Sequence, residues 1–135
     1  MDDFGFEIRI IGTYIRCDCF GTASREGLLG LIDTIQSQTA QGPNFILVDI
    51  SKLSGNLDTL SRYTLGIAVA DKLSGRRVAV VGEKEKINKV GENTAVNRGA
   101  NMFVTHDPED ALNWLLKVDP PARKGRVTKV PERAP

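Results

Sequence analysis

Three short apolar runs constrain this chain most. Phe45-Ile46-Leu47-Val48-Asp49-Ile50, Arg77-Val78-Ala79-Val80-Val81 and Met102-Phe103-Val104 are too continuous for strands wetted on one face, and they read as strands covered on both. Between them lie segments of helical spacing. Asp58 to Leu73 carries an apolar stripe of Leu60, Thr64, Ile67 and Ala68, and Ile87 to Ala100 reads as a polar amphipathic helix weakened by Gly91. After the third run, Asp107-Pro108-Glu109-Asp110 is a helix start, with a capping Asp, Pro in the first turn and acids at the positive end. Ala111, Leu112, Leu115 and Leu116 continue this helix, and Trp114 is expected to dock it. Strands that alternate with helices need crossover connections, so the sheet is expected to be largely parallel.

The N-terminal part has a different period. Phe4, Phe6, Ile8 and Ile10 alternate with Gly5, Glu7 and Arg9. After a turn at Gly12-Thr13, Ile15, Cys17 and Cys19 alternate with Arg16 and Asp18. Two period-2 runs with a tight link predict an antiparallel hairpin. Thr22 or Ser24 can then cap a helix in which Leu28, Leu31, Ile32 and Ile35 recur, and Gly42-Pro43 ends it. The expected order is β-β-α-β-α-β-α-β-α: an α/β fold with a mixed, mostly parallel five-stranded sheet and an antiparallel edge.

Composition narrows the function class. The 135 residues are 41% apolar and 26% charged, which suits one globular domain. Lys plus Arg number 18 against 17 Asp plus Glu, a net +1 that argues against a nucleic-acid binder. The total averages two unlike parts. Residues 119–135 hold four prolines, five basic and two acidic side chains, so this stretch carries +3 and residues 1–118 carry −2. The domain is therefore expected over 1–118, followed by a flexible basic tail over 119–135 that buries too little surface to order itself. No apolar run reaches a bilayer span, and Met1-Asp2-Asp3-Phe4 lacks a secretory pattern, so a cytoplasmic location is expected.

The reactive inventory is thin. Cys17 and Cys19 fall on one face of a strand at a separation that would strain a disulfide, and they read as small core residues. With only two cysteines and the single His106, no zinc set or other metal site is expected. No phosphate-binding glycine motif occurs, and Gly82-Glu83-Lys84-Glu85-Lys86 reads as a solvated turn. Asp49, Asp58 and His106 are the residues an enzyme would have to use, but they form no catalytic constellation; no enzyme activity and no cofactor are expected. The informative segment is the one after the first apolar run, Ser51-Lys52-Leu53-Ser54-Gly55-Asn56-Leu57, leading into Asp58-Thr59-Leu60-Ser61. It places Ser51, Ser54, Asn56, Asp58 and Thr59 beyond a strand's carboxyl end and beside a helix N-terminus. Ligands gather at such places, and a phosphorylated side chain would be favoured there. Equally, Asn56 or Asp58 can simply cap the helix.

Several of these stretches together carry a family pattern: Val48-Asp49-Ile50-Ser51, Leu57-Asp58 before the second helix, Arg77 to Gly82, Asn97-Arg98-Gly99 before the last strand, and Asp110-Ala111-Leu112-Asn113-Trp114-Leu115. In this order, from Phe45 through Leu116, the chain resembles the SpoIIAA-like superfamily, which includes the STAS domains of anti-sigma factor antagonists and the CRAL-TRIO lipid-binding fold. The resemblance implies a βα superhelical sheet and a non-enzymatic module that recognises a regulatory partner protein or a small apolar ligand. It also implies self-association, such as a homodimer. STAS switch proteins carry a phosphorylatable Ser or Thr after an Asp at the start of the second helix. Asp58-Thr59 occupies about that place, which makes Thr59 a candidate phosphosite and Ser61 a second one. Leu60-Ser61 stands where the family has Ser and Gly. In relatives without the switch, this region lines a cleft.

Overall fold

Period-2 alternation produces the first edge of the sheet. In the computed structural model, which describes residues 3–117, Gly5–Ile11 forms β1 and Tyr14–Phe20 forms β2. They pair antiparallel, with Ile8 opposite Cys17 and Ile10 opposite Ile15. Gly12 makes the turn at a φ of 57°, a left-handed conformation that costs glycine little. Ile15, Cys17 and Cys19 point to one face and are buried, and both thiols are free. The expected tail over 119–135 lies outside the described residues.

The chain then alternates helix and strand: α1 Arg25–Gln38, β3 Phe45–Asp49, α2 Thr59–Lys72, β4 Arg77–Val81, α3 Val90–Asn97, β5 Asn101–Thr105 and α4 Pro108–Leu116. Ser24 rather than Thr22 caps α1, its hydroxyl accepting the Gly27 N–H at 3.0 Å. Asp107 caps α4 in the same way, accepting from Glu109 N at 2.9 Å. The strands lie in chain order, β1-β2-β3-β4-β5, and all pairs after the first are parallel. Because each new strand is added on the same side, crossovers of one hand bring α1, α2 and α3 to one face. There Leu31, Ile35, Val69 and Ala95 pack with Ile15, Val48, Val78 and Val80. Helix α4 doubles back over the other face, setting Ala111 and Leu115 on Leu47, Ala79 and Val81. Trp114 docks it as expected, stacked on Phe103 at 5.3 Å. Arg77 fastens its C-terminal end by donating to the Leu115 and Lys117 carbonyls at 3.1 and 3.0 Å. Among the described residues no helix is long and apolar enough to cross a membrane.

Two expectations are corrected. The buried face of α2 is not the stripe of Leu60, Thr64, Ile67 and Ala68: Leu60 is 63% exposed, while Ser61, Gly66, Ala68, Val69 and Ala70 are buried. This helix lies between α1 and α3, where small residues let helices approach. A Cβ on Gly66 would stand 2.6 Å from the Gly91 carbonyl of α3. The third helix is also shorter than Ile87 to Ala100. Lys84–Lys86 is a separate 3-10 turn, and Lys89 adopts a left-handed φ of 68° before α3 starts at Val90.

Candidate functional site

At the carboxyl end of β3, Asp49 is engaged structurally. Its Oδ1 accepts the Ser51 N–H at 2.9 Å and the Ser51 hydroxyl at 2.6 Å, and its Oδ2 accepts from Arg16 at 3.3 Å. Ser54 stitches this loop to the start of α1: Ala23 N donates to its carbonyl at 2.8 Å, and its own N–H reaches the Gly21 carbonyl at 2.9 Å. Its hydroxyl also donates across the surface to the Gly21 carbonyl at 3.3 Å and to Thr22 Oγ1 at 3.5 Å. Leu53 is buried, which pulls the loop against the core. The hydroxyls of Ser51 and Ser54 are thus spent on shaping the loop, while Asn56 stays exposed at its outer rim.

Asp58 caps α2, its Oδ1 accepting the Ser61 N–H at 2.7 Å. The Ser61 hydroxyl and N–H together hold this carboxyl below the usual aspartate range. Thr59, the first residue of α2, is exposed. Ser61 is only 8% exposed and bonded to Asp58, so a phosphoryl group there would have to displace packed atoms. The structure therefore separates the two candidate phosphosites. Thr59 faces solvent at a helix N-terminus, where a negative charge is favoured, and Ser61 faces inward.

Beneath this loop lies a space whose lining residues sequence reasoning did not name, although the resemblance implies a cleft in this region. A cavity of about 150 Å³ lies between the sheet and the three-helix layer. Leu31 and Ile35 of α1, Leu65 and Val69 of α2, and Val48, Val80 and Met102 of the sheet line it. Its rim is polar. Asn56, Arg62, Lys86, Asn88, Lys89 and Glu92 border it. Arg62 Nε donates to the Leu57 carbonyl at 3.0 Å and Lys86 Nζ to the Leu53 carbonyl at 3.1 Å, so these cations brace the 53–57 loop as a roof. Of the five residues expected to bind a ligand or partner, only Asn56 borders this cavity. No single segment marks it, because residues of three helices and three strands line it together.

The residues that an enzyme would use are dispersed. Asp49 is tied to Arg16 and Ser51, Asp58 caps α2, and His106 is exposed after β5. Burial pushes the thiols of Cys17 and Cys19 up to about 12, with neighbouring carboxylates adding to the shift, so neither is a nucleophile near neutral pH.

No family model matches the chain, and no curated protein sequence matches it. Solved structures do. An uncharacterised protein of the DUF3478 family from Shewanella loihica PV-4, described as having a SpoIIAA-like fold, aligns at a TM-score of 0.54 with 20% identity, over 85% of this chain and 95% of its own. An anti-sigma factor antagonist from Mycobacterium paratuberculosis aligns at 0.60 with 16% identity, over 84% of this chain and 95% of its own. At such identities the likeness speaks to architecture. A sequential five-stranded sheet with an antiparallel first pair, three helices on one face and a fourth on the other, gives this chain the SpoIIAA-like fold.

Proposed function

We propose that this chain is a non-enzymatic binding module that recognises a small apolar ligand or the apolar side chain of a regulatory partner protein. The cavity beneath α2 carries the reading. A largely apolar space of about 150 Å³ is large enough for a benzene-sized group, and a polar rim suits a ligand with one wet end. Titration with benzene, followed by methyl NMR, is expected to shift Val48, Val69 and Val80, and Val69→Phe should abolish the shifts while the protein stays folded. Unmoved methyls in the wild type would sink the assignment. Self-association, which the resemblance implies, belongs to the same reading but does not depend on the cavity.

A second reading is favoured by one residue. Thr59 is exposed at the start of α2, at about the place where STAS switch proteins carry their phosphorylatable residue, which supports an anti-sigma factor antagonist switched by phosphorylation. A serine/threonine kinase should then add a single phosphate that Thr59→Ala removes. Phosphate retained by that variant would exclude Thr59.

A further inference from the structure

Among the described residues, half of the large exposed apolar side chains sit on one hairpin. Ile10 is 62%, Phe20 51% and Ile11 38% exposed, and the rest of this set, Leu60, Tyr63 and Val96, lies on α2 and α3. Among the described residues β1 is an edge strand that pairs with β2 alone. Its sequence, Gly5-Phe6-Glu7-Ile8-Arg9-Ile10-Ile11, contains neither the Pro nor the Lys with which sheet edges are commonly blunted.

We infer that β1 is the interface for a second copy of this chain, joined edge to edge by an antiparallel β1–β1 pairing centred on Ile8. The charges on the strand select that register. With Ile8 opposite Ile8, Glu7 of each copy faces Arg9 of the other, so two oppositely charged pairs form about the twofold axis. Moving the centre to Glu7 sets Glu7 against Glu7, and moving it to Arg9 sets Arg9 against Arg9. Centres between residues join an outward backbone group to an inward one.

The same register covers the apolar side chains. Phe6 lies opposite Ile10 of the second copy, on the face where Phe6 and Ile8 already pack on the core. Gly5 lies opposite Ile11 of the second copy, on the other face. Gly5 has no side chain there, and the Phe20 ring lies so close across it that a Cβ would be 2.5 Å from the ring. Ile11 of the second copy therefore lands beside the exposed Phe20 ring. Within its own chain Arg9 pairs with Asp18 at 2.9 Å and, more loosely, with Glu7 at 4.0 Å, so each copy brings a preformed charge cluster to the twofold axis. The result is a continuous sheet through two copies, with the three-helix layers on the same side.

The inference rests on the self-association part of the proposed function and not on the cavity, so the benzene titration and the experiment here fail separately. Sedimentation velocity of the full chain should show a dimer. Glu7→Arg and Ile10→Lys, both at exposed positions, should each weaken it about tenfold or more. Glu7→Arg combined with Arg9→Glu should recover the dimer, and Leu60→Glu on α2 should leave it unchanged. A wild type that stays monomeric at about 100 μM overturns the inference, as does a dimer that tolerates Glu7→Arg and Ile10→Lys or one that Leu60→Glu dissociates.

Discussion

At β5, the edge of the sheet is covered at Val104 by side chains of α3 and of Lys89 just before it. Glu92 Oε2 accepts the Val104 N–H at 3.1 Å, and Lys89 Nζ donates to the Val104 carbonyl at 2.8 Å. The two also pair with each other at 2.9 Å, and Lys89 lies 5.7 Å over the Phe103 ring. The left-handed turn at Lys89 places the ammonium there, at a conformational cost of about 1 kcal/mol that these contacts offset. At β1 nothing comparable is built: charge and apolar side chains alternate on a strand whose outer side meets no other described element. A protein that seals one edge with a helix and leaves the other self-complementary has assigned the two edges different tasks. Under the proposed pairing, one ends the sheet and the other extends it.

The sealed edge is the easier to break. Glu92→Ala removes a largely covered carboxylate that satisfies a backbone donor and holds Lys89, and about 2 kcal/mol of stability should be lost in urea unfolding. The Val104 amide should exchange faster at the same time. Unchanged exchange would show that the clamp does not hold this edge. Gly66→Ala attacks the clamp from behind by pushing α3 away from α2. Overpacking against the Gly91 carbonyl and Thr94 should outweigh the gain in helix propensity and cost about 1 kcal/mol net. Stabilisation instead would mean that the helices have room to part.

The smallest effect is expected at the open edge, in acid. Burial alone would raise the Asp18 carboxyl, but the hydrogen bond from Arg9, with Arg16, outweighs it and holds the group below its ordinary 3.8. The folded state therefore binds this proton less readily than the unfolded chain. Its contribution is complete above about pH 4 and is lost as pH falls through the lower folded value. As Asp18 is partly wetted, the loss should stay below about 1 kcal/mol. Chemical denaturation at pH 5 and pH 3, compared with an Asp18→Asn variant, checks this: the wild type should lose the larger share of its stability on acidification. Equal losses would place the acid sensitivity elsewhere, first at Asp58, whose carboxyl is also lowered.

What was legible in the sequence followed local periodicity. The hairpin alternation, the continuous apolar runs and the caps at Ser24, Asp58 and Asp107 are dictated by neighbours a few residues away, and they appear where expected. Helix α2 was misread because the usual rule, large apolar residues inward, reverses for a helix wedged between two others. Gly66, Ala68 and Ala70 mark its buried side and Leu60 its wet one. The start of α3 was misplaced because Asn88 and Lys89 make a turn that the Val104 contacts hold from across the fold. The loop after β3 was correctly located, but the cavity was not legible. It forms where α1, α2 and three strands converge, and no single segment carries that information.

The strand order has a consequence for assembly. Every strand of the sheet pairs with the one preceding it in the chain, so each βα unit can settle onto structure already formed, and no strand waits for a later partner to fill a gap beside it. The exception is in the perpendicular direction. Leu47, Ala79 and Val81 form a bare apolar face until α4 arrives, well after the strands that carry them. During synthesis this face is the exposed one, and Arg77, which fastens α4 through its terminal carbonyls, is the latch that ends the exposure.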